Sequence, residues 1–208
     1  MMPRPRPVAM MKTRISHPGM RGKSVSSTTR SYARGWPSES VDSASAFRIR
    51  AAKPRDVPDV LVMIEALAEY ENLRHLCVAT EAGLHAALFG PRPAAEVLVG
   101  WKGSAPIAFA LFFHNFSTFL GRKGLYLEDL FVQPAYRGRG YGRALLTRLA
   151  RIALERDCGR FEWAVLDWNT AAIGFYESLG ATLLPDWRIS RVTGPALERL
   201  AAHSANGA

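Results

Sequence analysis

Glu128 and Asp129 interrupt the otherwise apolar run Leu125-Tyr-Leu-Glu-Asp-Leu-Phe-Val132. Neighbours on an extended strand point to opposite faces, which gives the two carboxylates different jobs. A carboxylate in such a strand is costly to bury unless it is paired, hydrogen-bonded or neutralised. An internal ion pair to an arginine is one solution. The other is a cationic amine that binds there and surrenders a proton, since burial raises a carboxylate's pKa toward the range of a useful base. Asn169 and Tyr176 lie seven residues apart on one face of a predicted helix, about 10.5 Å along its axis at ~1.5 Å per residue. That spacing suits a helix cap followed by a core aromatic, and equally a polar anchor followed by a phenolic proton donor. Tyr70-Glu71 closes another predicted helix, either as a solvated terminus or as an aromatic–carboxylate pair able to hold a cationic group.

A fourth set is the run Tyr136-Arg-Gly-Arg-Gly-Tyr-Gly142, between the carboxylate-bearing strand and an amphipathic helix. A strand, a glycine-rich turn and a helix start converge backbone N–H groups on one point, and the helix dipole adds partial positive charge there. Glycines let a bulky anion such as a pyrophosphate approach without Cβ clashes, and Arg137 and Arg139 add charge-assisted donors. The nucleotide-hydrolase loop is excluded, because no Lys-Ser or Lys-Thr follows the glycines. The dinucleotide fingerprint fails as well, because the glycines fall at 138, 140 and 142. The spacing that fits is Arg-x-x-Gly-x-Gly, at Arg137, Gly140 and Gly142.

The elements that must position these residues follow from periodicity. Phe47–Ala51 alternates as a first strand, and Asp56 can cap a helix running through Val60, Ile64 and Leu67 to about Asn72. Thr80 caps a shorter helix that ends before Gly90-Pro91. Ala95–Trp101 and Ile107–His114 read as antiparallel strands, and Gly121–Gly124 as a turn into the central strand 125–132. Leu145, Leu146, Leu149, Ile152 and Ala153 share one face of a helix over about 140–156. Phe161–Leu166 is a predicted strand, Asn169 to Gly180 a helix, Trp187–Val192 a last strand, and Gly194 to about Ala202 a terminal helix. The order is that of a mixed α/β sheet without internal repeats.

The loop, the Tyr-Leu-Glu-Asp strand and the block Asp167-Trp-Asn169…Gly174-Phe-Tyr-Glu-Ser-Leu-Gly180 resemble the GNAT acetyltransferases. With Leu67-Ala-Glu-Tyr-Glu71 and Trp187-Arg188 they look like the diamine (spermidine/spermine) and thialysine branch, over roughly residues 47–202. The resemblance implies a mixed, mostly antiparallel α/β sheet flanked by helices and splayed where acetyl-CoA binds. It implies that backbone at Leu130, Phe131 and Val132 pairs with the pantetheine arm, and that Arg137, Gly138, Arg139, Gly140, Tyr141, Gly142 and Arg143 hold the pyrophosphate. Asn169, Thr170, Ala171 and Ala172 would line the donor, Tyr176 would be the general acid, and Glu128 a substrate ligand and base. Tyr70, Glu71 and Asp129 would line the channel for a small-molecule amine. Homologues of this kind are cytosolic homodimers with composite sites. Two departures matter: Leu179 stands where the eukaryotic diamine enzymes carry a basic residue that assists the cofactor, and only Pro185-Asp186 precedes Trp187, a sparse acidity that points to a shorter or lysine-like acceptor. A GNAT enzyme acting on a protein N-terminus or another small amine is the alternative within the family.

Charge points elsewhere until it is located. The net charge is +9, yet residues 1–47 hold eight basic residues against two acidic ones, so six of the nine charges sit there. That Pro/Ser/Arg-rich stretch (residues 1–46) lacks periodicity and is expected to be disordered, with the folded acetyltransferase domain over 47–208. Its acid-poor make-up is that of a transit peptide, while Met1, Met2, Met10, Met11 and Met20 are as compatible with a later start. A nucleic-acid-binding module built on the tail would leave the carboxylates and the Asn169–Tyr176 spacing unexplained, so no nucleic-acid partner is expected. No membrane is expected either, because the longest apolar run, Ala105 to Phe113, is nine residues. Cys77 and Cys158 show no paired or metal-like spacing, which suggests free thiols in the cytoplasm and no metal.

Overall fold

The computed structural model describes residues 46–202. The N-terminal extension, expected to be disordered, lies outside the described residues. From Phe47 onward the alternating segments join into one sheet: β1 (Phe47–Ala51), β2 (Glu96–Lys102), β3 (Ala105–Ser117), β4 (Arg122–Val132) and β5 (Phe161–Trp163). They stand side by side in chain order, the first four antiparallel and β5 parallel to β4. Short turns join β2 to β3 and β3 to β4, two helices lie between β1 and β2, and the parallel step from β4 to β5 needs a crossover, supplied by helix α3 (Tyr141–Glu155).

Side-chain alternation sorts the sheet into two apolar layers. On one face the predicted stripe of α3 (Leu145, Leu146, Leu149, Ile152 and Ala153) packs on Leu98, Ala110, Phe112, Leu125 and Leu127. On the other, α1 (Val57–Tyr70) and α2 (Glu81–Phe89) bring Val60, Met63, Leu67 and Leu88 against Val97, Val99, Phe109 and Phe131. Burying each such aliphatic side chain contributes about 1.5–3 kcal/mol, and this, more than helix propensity, holds the helices in place. Thr80 caps α2 as expected, its Oγ1 accepting from Gly83 N–H at 3.1 Å.

Four expectations need correction. Asp56 does not cap α1 with its side chain. It is buried and accepts from both Arg50 Nη groups (2.5 and 2.9 Å) and from Lys53 N–H (2.7 Å), because a charge-assisted fork outcompetes a single cap bond. The turn expected over Gly121–Gly124 lies earlier: β4 already begins at Arg122, and Gly124 pairs with Asn115. A Cβ on Gly124 would collide with the Asn115 side chain at Oδ1, which would have to shift to admit a larger residue. β5 ends at Trp163 and not at Leu166, and Trp187–Val192 forms no strand among the described residues. That last segment has no neighbour to pair with, and Trp187 and Ile189 are 75% and 74% exposed. An extended segment without a ladder partner leaves its backbone to water.

The short β5 has a consequence for function. It pairs with β4 only at Leu125–Leu127, so the β4 edge from Glu128 to Val132 is open on that side. This opening is the splay expected of the sheet. Two helices follow, α4 (Thr170–Glu177) and α5 (Gly194–Ala202). Among the described residues no helix is long and apolar enough to cross a membrane.

Candidate active site

The two carboxylates of β4 sit at a break in strand register. Leu111 pairs with Asp129, but the next residue, Phe112, pairs with Leu127, so Glu128 is the extra residue of a β-bulge. The bulge inverts the alternation. Leu125 and Leu127 face α3, and beyond the bulge so do Leu130 and Val132, while Phe131 joins the α1/α2 layer. Asp129 shares the parity of Phe131, which turns it toward the helix pair and leaves Glu128 exposed at the kink. Leu127 and Leu130, on either side of the pair, both face α3, so the opposite-face placement expected of Glu128 and Asp129 fails at the bulge, and what separates the two carboxylates is burial.

Asp129 is the perturbed member. Burial, reinforced by the charges of Glu128 and Glu71, pushes its carboxyl up to about 6. Glu71, just past the last turn of α1, is also raised, by burial. Tyr176 lies within the field of Glu71, and burial plus that charge push its phenol up to about 12. The ring is fixed against Trp163 (centroids 5.0 Å apart, edge-on) and Phe175 (5.4 Å). Glu71 and Glu128 act on Asp129, and Glu71 on Tyr176, so residues from three separate segments form one electrostatic cluster beside the open edge of β4. It holds a carboxyl that titrates near neutrality and a phenol that stays protonated.

The glycine loop supplies the other half. Gly138 and Gly140 have φ of +74° and +79°, a left-handed geometry that favours glycine, and nothing lies within 4 Å of where their Cβ atoms would be. A Cβ on Gly142 would meet only ordinary contacts, at 3.7–3.9 Å from Phe175 and Val132. The cradle is therefore open space and not packed protein. Gly140 caps α3 without a side chain, so the N–H groups of the first turn, at Tyr141, Gly142 and Arg143, keep no intrahelical acceptor. Such a helix start fits a pyrophosphate. Arg139 is exposed, with its guanidinium 5.8 Å from the Tyr136 ring centroid. Arg137 donates from Nε to the Val132 carbonyl at 2.9 Å, and its guanidinium stacks 4.5 Å above the Tyr70 ring.

On the far side of the splay, Asn169 caps α4, its Oδ1 accepting from Ala172 N–H at 3.2 Å. The plain reading of Asn169 is thus met by its oxygen, while Thr170, Ala171 and Ala172 form the first turn beside it. Sequence reasoning missed Trp168, half exposed with its ring 6.2 Å from Tyr70. Its place beside Asn169 was the one available signal. Among the described residues no group of three or more histidines, cysteines or carboxylates could hold a metal ion.

A family model described as "Acetyltransferase (GNAT) family" matches residues 63–181, which takes in the bulge, the loop and α4. The chain belongs to this acetyltransferase family. Thialysine N-epsilon-acetyltransferase of Mus musculus is 38% identical over 168 residues, covering 76% of this chain and 98% of the mouse protein. L-ornithine N5-acetyltransferase of Arabidopsis thaliana is 36% identical over 198 residues, covering 74% and 87%. Among solved structures, an integron cassette protein from the mobile metagenome of Vibrio cholerae superposes with a TM-score of 0.64 at 27% identity, covering 75% of this chain and 98% of its own. These relatives agree with the diamine/thialysine branch that the motifs resemble. The protein is an acetyl-CoA-dependent N-acetyltransferase of the GNAT type.

Proposed function

We propose that the chain, as a domain over 47–208, acetylates a primary amine of a small diamine, polyamine or lysine-like amino acid in a ternary complex. One observation carries this reading: Glu71 and Glu128 act on Asp129, whose carboxyl is pushed up to about 6, and Glu71 acts also on the half-buried Tyr176 phenol, beside a strand edge left unpaired past Leu127. The site chemistry suits a cation that must lose a proton before it reacts. Glu71 and Glu128 attract and orient the ammonium group. Asp129 accepts its proton, directly or through water, and this assigns to Asp129 the base role that the motif alone gave to Glu128. When bound, acetyl-CoA supplies the acetyl group as an activated thioester.

The chain's own residues do the rest. Backbone of Leu130, Phe131 and Val132 on the open β4 edge lines the pantetheine arm and offers an N–H to the carbonyl oxygen, where it stabilises developing negative charge. Gly138, Gly140, Tyr141 and Gly142, with Arg137, Arg139 and Arg143, hold the pyrophosphate. Asn169 with Thr170 to Ala172 borders the arm. Tyr176, protonated at every physiological pH, donates to the departing sulfur. Neither Cys77 nor Cys158 belongs to the cluster, which favours direct transfer over an acyl-cysteine step.

The preference for a short or lysine-like acceptor rests on the sparse acidity before Trp187. Relatives named for thialysine and L-ornithine support it. The proposed enzyme works in the cytoplasm as a homodimer. Support for a second copy comes from the exposed apolar residues of the C-terminal segment, Leu184, Trp187, Ile189, Leu197 and Leu200. The test is a thiol-release screen with acetyl-CoA across diamines, polyamines, lysine analogues and peptides. The highest kcat/KM is expected with a short diamine or a basic amino acid; turnover of peptides alone would overturn the reading.

A further inference from the structure

Tyr70 was assigned to the acceptor channel on its place beside Glu71, but its contacts lie with the donor side. The ring ends α1 and is 40% exposed, too open for a core residue. The Arg137 guanidinium covers it at 4.5 Å, and the same guanidinium lies 5.8 Å from the Phe131 ring centroid. Arg137 Nε is tied to the Val132 carbonyl, at the end of the open edge of β4. The Trp168 indole flanks Tyr70 at 6.2 Å, tilted by 51°, and Trp168 immediately precedes the Asn169 cap of α4. One aromatic ring thus joins the end of α1, the loop before α3 and the loop before α4. Both loops carry residues assigned to the donor, and α1 ends in a carboxylate assigned to the acceptor.

We infer that Tyr70 is a positioning residue for acetyl-CoA: it clasps the two donor-binding loops to the end of α1. The inference rests on the donor and acceptor assignment proposed above. Without the ring, Arg137 loses the surface on which its planar guanidinium lies, and the half-exposed Trp168 loses its neighbour. Both loops then sample more conformations, and the donor must order them on binding. An exposed cation–π pair corresponds to about a two- to fivefold change in an equilibrium constant, and the Trp168 contact adds to it. The contact needs a ring and not a hydroxyl. Because binding energies are reciprocal, whatever steadies Tyr70 from the acceptor side also tightens the donor by the same factor.

The experiment is calorimetric titration of the full chain with CoA, with no amine present, for wild type, Tyr70→Leu and Tyr70→Phe. Tyr70→Leu is expected to weaken CoA by about three- to tenfold, and Tyr70→Phe to stay within about twofold of wild type. A residue that merely lines the acceptor channel would change the KM for amine and leave CoA affinity alone. If Tyr70→Leu fails to fold, as read by its thermal transition, Trp168→Leu removes the other side of the clasp and should also weaken CoA. Unchanged CoA affinity in the folded leucine variant overturns the inference, as does a phenylalanine variant as weak as leucine. A wild-type chain that binds no CoA would instead sink the donor assignment itself.

Discussion

Replacing Asp129 by asparagine should stabilise the protein and disable it. The carboxyl is pushed from 3.8 to about 6, chiefly by burial and then by Glu128 and Glu71. For an acid whose folded pKa is raised, the native state holds its proton more tightly than the unfolded chain does. Stability therefore falls as pH rises through the interval between the two values, and the penalty is complete above the higher one. A shift of roughly two units at ~1.36 kcal/mol each amounts to about 3 kcal/mol. Asparagine has nearly the same shape and no charge to desolvate. Urea denaturation followed by tryptophan fluorescence should show the Asp129→Asn advantage widening by about 2–3 kcal/mol between pH 4 and pH 8. Taking the difference between two pH values cancels any pH-independent effect of the substitution. In the same variant kcat/KM should fall, and the acidic limb of the wild-type profile, centred near pH 6, should disappear. A stability gap that is flat with pH, or that closes as pH rises, would refute the desolvated-carboxylate argument and with it Asp129 as the base.

Two further outcomes are expected. Tyr176→Phe keeps the ring against Trp163 and Phe175 but removes the proton donor, so kcat should drop by about 10²–10⁴ while CoA affinity holds; undiminished turnover in a thiol-release assay would remove Tyr176 as the acid. Asp56→Ala leaves Arg50 without its carboxylate and Lys53 N–H without an acceptor, at a cost of about 2–3 kcal/mol by urea denaturation at pH 7. Arg50 holds the Asp56 carboxyl below the usual carboxylate range. Its contribution is therefore present above the unfolded value of 3.8 and fades as pH falls through the lowered folded one.

Much of the fold was legible because it depends on local periodicity. The α3 stripe from Leu145 to Ala153 follows from helical spacing alone, and every residue of it is buried. Thr80 could be read as a cap because its partner is three residues away. Asp56 could not, because its carboxylate turns back to Arg50 on β1 and to Lys53 N–H instead of forward into the helix it precedes. Trp187–Val192 has the alternation of a strand, but alternation creates only the capacity to pair. Among the described residues it has no neighbour to pair with, and within the single chain Trp187 and Ile189 are exposed.

The site divides in the same way. Residue types and short spacings were enough to propose an anion loop at Arg137–Gly142, because glycines at left-handed positions and a helix start are local properties. They were also enough to mark Glu128 and Asp129 as out of place in an apolar strand and to set Asn169 and Tyr176 on one helical face. Which carboxylate titrates near neutrality depended on the β-bulge, since one extra residue in β4 decides which side chain enters the layer beside α1. The meeting of Glu71 with Asp129 and Tyr176, and of Arg137 with Tyr70 and Trp168, joins segments tens of residues apart. Periodicity carries no information at that range. Sequence alone determined the chemistry available; sheet register and crossover decided which groups share a field, because desolvation and Coulomb interactions depend on distance in space and not along the chain.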